Sequence, residues 1–104
     1  MSTSSEGCAA PVGGPSLIGR DATREAVVQG MVLGAGQPVS SAYVRLLDRS
    51  GEFTAEVVTD QDGEFRFFAG DGPWTLRVLT PRATAVDHHL TATVGTITEV
   101  TITV

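Results

Sequence analysis

From Ala26 onward, the chain is a succession of short runs of β-branched and aromatic residues. Each run is closed by Gly, Pro or Asp within roughly eight to twelve residues, a spacing typical of an all-β sandwich or barrel. No window in this region carries a helical apolar stripe of useful length. The seven predicted strands, which suit two packed sheets, are Ala26–Leu33, Ala42–Asp48, Phe53–Thr59, Glu64–Phe68, Trp74–Thr80, Thr84–Thr93 and Ile97–Val104.

Alternation along these strands predicts which side chains form the core, because successive Cβ atoms point to opposite faces of a strand. Tight turns rich in Gly, Asp and Pro separate the strands, such as Gly34–Pro38 and Asp60–Gly63, and provide the positive φ that hairpins need. The predicted inward positions are Val28, Gly30, Val32, Ala42, Val44, Leu46, Phe65, Phe67, Trp74, Leu76, Val78, Val100, Ile102 and Val104.

The first 24 residues differ from the rest in composition. They are rich in Ser, Gly, Pro and Ala and offer no periodic apolar face. We therefore predict a flexible N-terminal arm over residues 1–24, which carries Cys8, and one folded domain over residues 25–104. A total of 104 residues leaves no room for a second core.

The net charge and the lack of a targeting signal or membrane span in the sequence limit the kinds of partner and the location that we expect. Seven basic against twelve acidic residues give a net charge of −5, a field that repels phosphate backbones and anionic lipid. The first ten residues have no basic region followed by an apolar one, and no stretch approaches a membrane span. We expect no nucleic-acid partner, no membrane partner and a cytoplasmic location.

Several motifs occur in order along the strand region. They are Val-x-Gly-x-Val (28–32), Gly-Gln-Pro-Val (36–39), Ala-x-Val-x-Leu (42–46), Thr-Asp-x-Asp-Gly-x-Phe-x-Phe (59–67) and Trp-x-Leu-x-Val (74–78). This series resembles the carboxypeptidase regulatory-like domain. That superfamily has the transthyretin-like (prealbumin-like) Greek-key sandwich, so the resemblance implies a seven-stranded Greek-key β-sandwich.

A second resemblance covers most of the chain. Tyr43–Asp48, Gly51–Val57, Phe65–Ala69 and Trp74–Arg77, with Cys8 upstream, are similar to a small actinobacterial family usually called SseC. Members typically carry a cysteine next to the initiator Met, whereas Ser2 stands there in this chain. They are commonly encoded beside rhodanese-type thiosulfate sulfurtransferases and have no established activity. The resemblance implies a neighbourhood in sulfur metabolism and a possible rhodanese partner.

Cys8 is the single thiol and is the candidate persulfide carrier. It lies in the arm among small residues, which suits a group that must reach another protein's active site. No Arg, His or helix N-terminus adjoins it to lower the thiol pKa, and Glu6 disfavours the thiolate. An incidental surface thiol is the alternative interpretation.

We expect no metal site, no cofactor and no catalytic residue. His88 and His89 are strand neighbours that point to opposite faces, so they cannot jointly chelate one ion. Asp60 and Asp62 begin like a calcium loop, but the strand that follows Gly63 leaves no later ligands, which predicts a hairpin turn. No Gly-x-Ser-x-Gly elbow is present, and a sandwich this small rarely has a substrate cleft.

Arg45, Arg66 and Arg77 share the outward phase of their strands. If these strands are neighbours, the guanidinium groups form a stripe that suits an oxyanion or an acidic partner. The alternative, which we favour, is a cross-strand charge ladder with Glu56 and Glu64.

Tyr43, Leu47, Phe68 and Leu79 share the same outward phase. Contiguous exposed apolar area suggests a contact with a homodimer partner or a sulfurtransferase, and the alternative is that residues 9–24 fold back over it. The last strand is an edge candidate that could pair with a second copy.

Together these patterns predict a non-enzymatic accessory or sulfur-carrier protein associated with rhodanese. One alternative is a protein-interaction or scaffold module with no role for Cys8, and another is a sulfurtransferase subunit in which Cys8 completes the active site of another chain.

Overall fold

The computed structural model describes residues 12–15, 25–81 and 83–104. In this part of the chain every regular element is a β-strand, which confirms the all-β prediction, but there are eight strands rather than seven. They are β1 (Ala26–Gly34), β2 (Gln37–Pro38), β3 (Tyr43–Leu47), β4 (Phe53–Val58), β5 (Glu64–Ala69), β6 (Gly72–Thr80), β7 (Ala83–Ala92) and β8 (Ile97–Thr103).

The additional strand is β2, which lies in the segment predicted as a plain turn. Ala35 and Gly36 both have positive φ, at 52° and 79°. Two central residues of this kind form a two-residue hairpin loop whose twist matches that of the flanking strands. Gln37 and Pro38 therefore run back along β1 for two pairs of positions, too short a run to show alternation in the sequence.

The strands form two sheets packed as a sandwich. In the first, β1 pairs antiparallel with β2 and β5 and in parallel with β8. The second has the order β4-β3-β6-β7 and is antiparallel throughout. The chain leaves β4 for β5 in the first sheet and then returns to place β6 beside β3. This is the crossing connection that a Greek-key sandwich requires.

The core lies between the sheets at the predicted inward positions. Full burial of one Val, Leu, Ile or Phe side chain stabilises the fold by about 1.5–3 kcal/mol. Two outward-phase residues, Val27 and Leu47, are also buried, at 0% and 4% exposure, which alternation did not predict. The predicted inward residues that are fully buried are Val28, Val32, Ala42, Val44, Leu46, Phe65, Phe67, Leu76, Val78 and Ile102, and those that pack partly buried against them are Trp74, Val100 and Val104.

Thr59 is a buried polar residue that connects the ends of β3 and β4. Its hydroxyl accepts a hydrogen bond from the backbone N–H of Ala42 (2.9 Å) and donates one to the carbonyl of Val39 (2.7 Å). A buried hydroxyl is tolerated when its hydrogen bonds are made. The two bonds hold the start of β3, and with it Tyr43, beside the end of β4.

Candidate functional site

Two of the three predicted arginines lie side by side on the outer face of the second sheet. Arg45 of β3 is directly opposite Arg77 of β6. Each is flanked by an acidic residue of the next strand: the Nε of Arg45 donates to Glu56 (2.7 Å), and Arg77 makes a two-pronged contact with Asp87 (2.8 and 3.0 Å). The row Glu56–Arg45–Arg77–Asp87 is a cross-strand charge ladder. It contains Glu56 of the two predicted acidic partners, but Asp87 stands in it and Glu64 does not.

Arg66 does not join this row, so the three arginines form no stripe. Its strand, β5, belongs to the first sheet, where β1 and not β3 or β6 is its neighbour. The Nε of Arg66 donates to the side-chain oxygen of Gln29 (2.8 Å), and the Gln29 amide donates to Glu99 (3.0 Å). Arg66 thus pairs across strands with Gln29 rather than with Glu64.

The row Arg66–Gln29–Glu99 crosses an open groove of about 460 Å³ on the outer face of the first sheet. Arg66, Gln29 and Glu99 are hydrogen-bonded to one another, and among the described residues no buried side-chain N or O atom lacks a hydrogen-bond partner. Its lining residues are Gln29, Gly30, Met31, Glu64, Phe65, Arg66, Glu99, Val100 and Thr101.

The predicted outward apolar set is also divided between the two sheets. Tyr43, 48% exposed, stands opposite Val58 of β4 and Leu79 of β6, and we name these three residues the Tyr43 patch. Leu47 lies on the same sheet but is buried, and Phe68 lies on the first sheet opposite Val27. Tyr43 and Phe68 therefore do not form one contact surface.

Residues Val12–Pro15, which we name the anchor segment, lie against the side of the sandwich. Val12 bridges Val58 in parallel, and the Gly13 N–H donates to the carbonyl of Val58. The Pro15 carbonyl accepts a hydrogen bond from the Arg66 guanidinium at 3.4 Å. The segment thus contacts β4 of one sheet and β5 of the other, inside the region predicted as a flexible arm.

The remainder of that arm, including Cys8, lies outside the described residues. The same holds for most of residues 9–24, which the sequence suggested as a cover for the apolar set. Of the anchor segment, Val12 is 67% exposed and lies beside the Tyr43 patch through its bridge to Val58.

His88 and His89 point to opposite faces of β7, as predicted. His88 shares the inward phase with Val86 and Leu90 and is half-buried, whereas His89 is exposed. The Nδ1 of His89 lies 2.8 Å from the Thr75 hydroxyl on the outer face. The two rings therefore cannot share one ligand.

The predicted turn at Asp60–Gly63 is confirmed. The Gly63 N–H donates to the Asp60 carbonyl (2.9 Å), and the Asp60 side chain accepts from the N–H groups of Asp62 and Glu64 (2.9 Å each). The carboxylates of Asp60, Asp62 and Glu64 come within 4.8 Å of one another. Because one Asp60 carboxylate oxygen accepts hydrogen bonds from the backbone of the turn, the turn itself explains why these three carboxylates lie close together.

Sequence reasoning missed three contributors to these surfaces: Asp87, the Gln29–Glu99 pair and the anchor segment. Asp87 has the outward phase of its strand, but only the register of β6 with β7 shows that it faces Arg77. For the anchor segment, the sequence signal was the adjacent pair Gly13 and Gly14. Both glycines have positive φ, at 73° and 87°, which residues with side chains rarely adopt.

Acidification should abolish the contribution of the Arg77–Asp87 pair. The hydrogen bond from Arg77 lowers the pKa of Asp87 below its ordinary value of 3.8. A carboxylate whose pKa is lower in the folded than in the unfolded state stabilises the fold at neutral pH, and this contribution is lost as the pH falls. Asp87→Asn should therefore be slightly less stable than the parent at pH 7 and equally stable once the carboxylate is protonated.

Urea unfolding of both proteins between pH 7 and pH 2 measures this difference. It should also shrink in high salt, because both side chains are well exposed. A difference that grows on acidification would contradict the assignment.

The fold and surface geometry define a small β-sandwich domain whose outer faces carry paired charges. The chain belongs to the family described as "Protein of unknown function (DUF1416)", which it matches over residues 8–104. It is 52% identical over 75 residues to two uncharacterized proteins of Mycobacterium tuberculosis strain H37Rv, covering 70% of this chain and 75% of each relative. It is 56% identical over 63 residues to an uncharacterized protein of Mycolicibacterium smegmatis, covering 60% of this chain and 70% of that one.

Solved structures share the fold at low sequence identity. The dioxygenase domain of a dioxygenase carbohydrate-binding protein fusion from Streptomyces sp. SirexAA-E has a TM-score of 0.63 at 12% identity, with 92% of this chain and 88% of that chain covered. Catechol 1,2-dioxygenase from Acinetobacter sp. ADP1 has a TM-score of 0.54 at 16% identity, and the match covers 79% of this chain but only 42% of that chain. These likenesses show the fold alone.

No helix in residues 12–15, 25–81 and 83–104 is long and apolar enough to cross a membrane.

Proposed function

We propose that the protein is a non-enzymatic sulfur carrier, or accessory, of a rhodanese-type thiosulfate sulfurtransferase in the cytoplasm. The observation that carries the proposal is the anchor segment. Contacts with Val58 and Arg66 hold the chain at Val12–Pro15 against the side of the sandwich. The arm that bears Cys8 therefore starts from a defined point on the domain surface.

Chain length then limits where the thiol operates. Cys8 precedes Val12 by four residues, and four extended residues span at most about 14 Å. Within that radius of Val12, the Tyr43 patch is a surface that the thiol can reach. An exposed aromatic residue beside apolar and ion-paired groups suits contact with another protein. A partner seated on the Tyr43 patch would have its active site within reach of Cys8.

The proposed transfer needs no added oxidant. The Cys8 thiolate attacks the outer sulfur of the persulfide on the sulfurtransferase, so that a new S–S bond forms on Cys8. The S–S bond of the donor breaks, and the donor cysteine leaves as a thiolate. A lowered thiol pKa is not required in the free carrier if the partner's active site supplies the positive field.

Two resemblances support the assignment. The similarity to the SseC-type family suggests the sulfurtransferase neighbourhood, and the family match begins at Cys8 itself. The sheets β4-β3-β6-β7 and β5-β1-β8 suit a member of the carboxypeptidase regulatory-like (transthyretin-like) superfamily. We assign the domain to that superfamily as part of the proposal.

Intact-protein mass spectrometry tests the carrier function. The full chain is incubated with thiosulfate and a catalytic amount of rhodanese, in parallel with Cys8→Ser. We expect one added sulfur atom on the parent and none on the variant, because Cys8 is the single thiol of the chain. The adduct should disappear on treatment with a reducing thiol.

Omission of rhodanese is the matched control, since thiosulfate alone should modify the thiol far more slowly. An unmodified parent chain in the presence of a rhodanese shown to be turning over thiosulfate would refute the carrier function. It would leave the alternative, an interaction module in which Cys8 has no role.

The Tyr43 patch favours this second candidate independently of Cys8. Titration of rhodanese with the parent, Tyr43→Ser and Cys8→Ser chains separates the two. Binding that depends on Tyr43 but not on Cys8, without sulfur transfer, would identify an interaction module.

A further inference from the structure

The strand β8 forms an exposed edge of the first sheet that differs from the other sheet edges. Within the described residues it pairs only with β1, in parallel. Its side chains are almost all β-branched: Ile97, Thr98, Val100, Thr101, Ile102 and Thr103, with Glu99 as the one exception. Natural edge strands are usually guarded by Lys, Pro, bulges or charges, because a bare edge is a template for another strand.

The other edges carry such guards. The anchor segment occupies the side of β4, where Gly13 donates to Val58, and it also contacts Arg66 of β5. At the opposite side, the pairing of β6 with β7 contains a register shift between Val78 and Thr80, and β7 carries the imidazole rings of His88 and His89. In β8 the one charged side chain, Glu99, is drawn toward β1 by its hydrogen bond from Gln29 (3.0 Å).

The free hydrogen-bonding groups of β8 follow from its pairing with β1. The Val27 N–H donates to the carbonyl of Thr96, and the Val104 N–H donates to the carbonyl of Leu33. Because N–H and C=O groups of successive residues point to opposite sides of a strand, the even-numbered residues of β8 face β1. The odd-numbered residues, Ile97, Glu99, Thr101 and Thr103, therefore present their backbone groups outward.

We propose that β8 pairs antiparallel with β8 of a second copy, about a two-fold axis at Val100. In this register Glu99 stands opposite the second copy's Thr101, and Ile97 stands opposite its Thr103. All the outward backbone groups are then paired, by up to about eight hydrogen bonds. Ile97, 44% exposed in the single chain, is covered.

Charge selects this register over its neighbours. An axis at Glu99 would place the two Glu99 carboxylates directly opposite each other, which is destabilising. An axis at Thr101 would place Ile97 opposite a position beyond Thr103, where β8 ends. With the axis at Val100, each Glu99 has a second oxygen available, since Gln29 donates to the other. The Thr101 hydroxyl of the second copy is the donor suited to it.

Opposite charges at one position test both the dimer and its register. Thr101→Lys puts an ammonium opposite each Glu99, and Thr101→Glu puts a carboxylate there. With two such pairs per dimer, Thr101→Lys should tighten dimerisation roughly 2- to 30-fold and Thr101→Glu should weaken it by a similar factor. Sedimentation equilibrium of the full chain from about 1 µM to 1 mM measures the dissociation constants.

Thr103→Lys is the matched control, because its counterpart is the uncharged Ile97 and no tightening should result. A parent chain that stays monomeric to about 1 mM overturns the proposal. So does a Thr101→Lys dimer no tighter than the Thr103→Lys dimer. Neither result bears on sulfur transfer to Cys8, so the two proposals fail separately.

A cross-link gives a second, independent test. In the proposed register the two Val100 residues are a non-hydrogen-bonded pair with Cα atoms about 4.5 Å apart, within reach of a disulfide. In a Cys8→Ser background, Val100→Cys should cross-link with oxidised glutathione, whereas Thr103→Cys should not. Equal cross-linking of both, or of neither, overturns the register.

Discussion

Gly30→Ala should destabilise the fold by about 3 kcal/mol, at the upper end of the cost of overpacking. Gly30 lies on β1 between Phe65 of β5 and Val100 of β8. A methyl group added there would overlap the backbone carbonyl oxygen of Val100 and approach its side chain. Backbone cannot rotate aside as a flexible side chain does, so β8 must move away from β1.

The loss should lower the urea midpoint and reduce the melting temperature by roughly 12–24 °C. Gly70→Ala is the matched control: nothing lies within 4 Å of an added methyl group at Gly70. Its stability should stay within about 0.5 kcal/mol of the parent. An unchanged midpoint for Gly30→Ala would contradict the close approach of β1 and β8.

Gly14→Ala should release the anchor segment from the sandwich. Gly14 has a φ of 87°, and an added methyl group would overlap the carbonyl oxygen of Arg66 and lie 3.2 Å from the Val57 side chain. The positive φ alone costs about 1–2 kcal/mol, and the overlap adds to it. Exchange of the Gly13 N–H, which donates to Val58, should therefore accelerate at least roughly fivefold, the factor that 1 kcal/mol gives.

Gly13→Ala separates the two causes. Its φ of 73° is similar, but the nearest atom to an added methyl group is an Asp60 oxygen at an ordinary 3.6 Å. Hydrogen exchange should therefore show a smaller effect for Gly13→Ala than for Gly14→Ala. If the carrier proposal holds, Gly14→Ala also slows sulfur transfer from rhodanese while Cys8 still reacts normally with iodoacetamide. Equal effects of both variants would show that the overlap with Arg66 is unimportant.

Much of the fold was predictable because its signals are local. The inward residues of β3, Val44 and Leu46, follow from alternation alone, and the turn at Asp60–Gly63 follows from its own Asp and Gly. The short strand β2 was missed, since two residues are too few to alternate. Val27 was misjudged because alternation assigns a face and does not say how well that face is covered. Leu47 was misjudged because its pairing with β4 shifts register after Leu46, and the sequence does not show such an irregularity.

The candidate site was predictable only in part, because alternation along a strand does not specify the neighbouring strand. The alternation of side chains along each strand correctly placed Arg45, Arg66 and Arg77 outside the core. It could not show that Arg66 belongs to the other sheet. The partners Asp87 and Gln29 depend on which strands are neighbours and in which register.

The class of fold, the inward and outward sides of the strands and the turns all follow from residues that lie close together along the chain. The neighbours became visible only in the folded protein: Arg77 beside Arg45, Arg66 beside Gln29, the anchor segment between the two sheets, and β8 at an edge. Local patterns do not specify them because strands pair through backbone groups that all residues except proline share. Their choice of partner is settled by the burial of both sheets together.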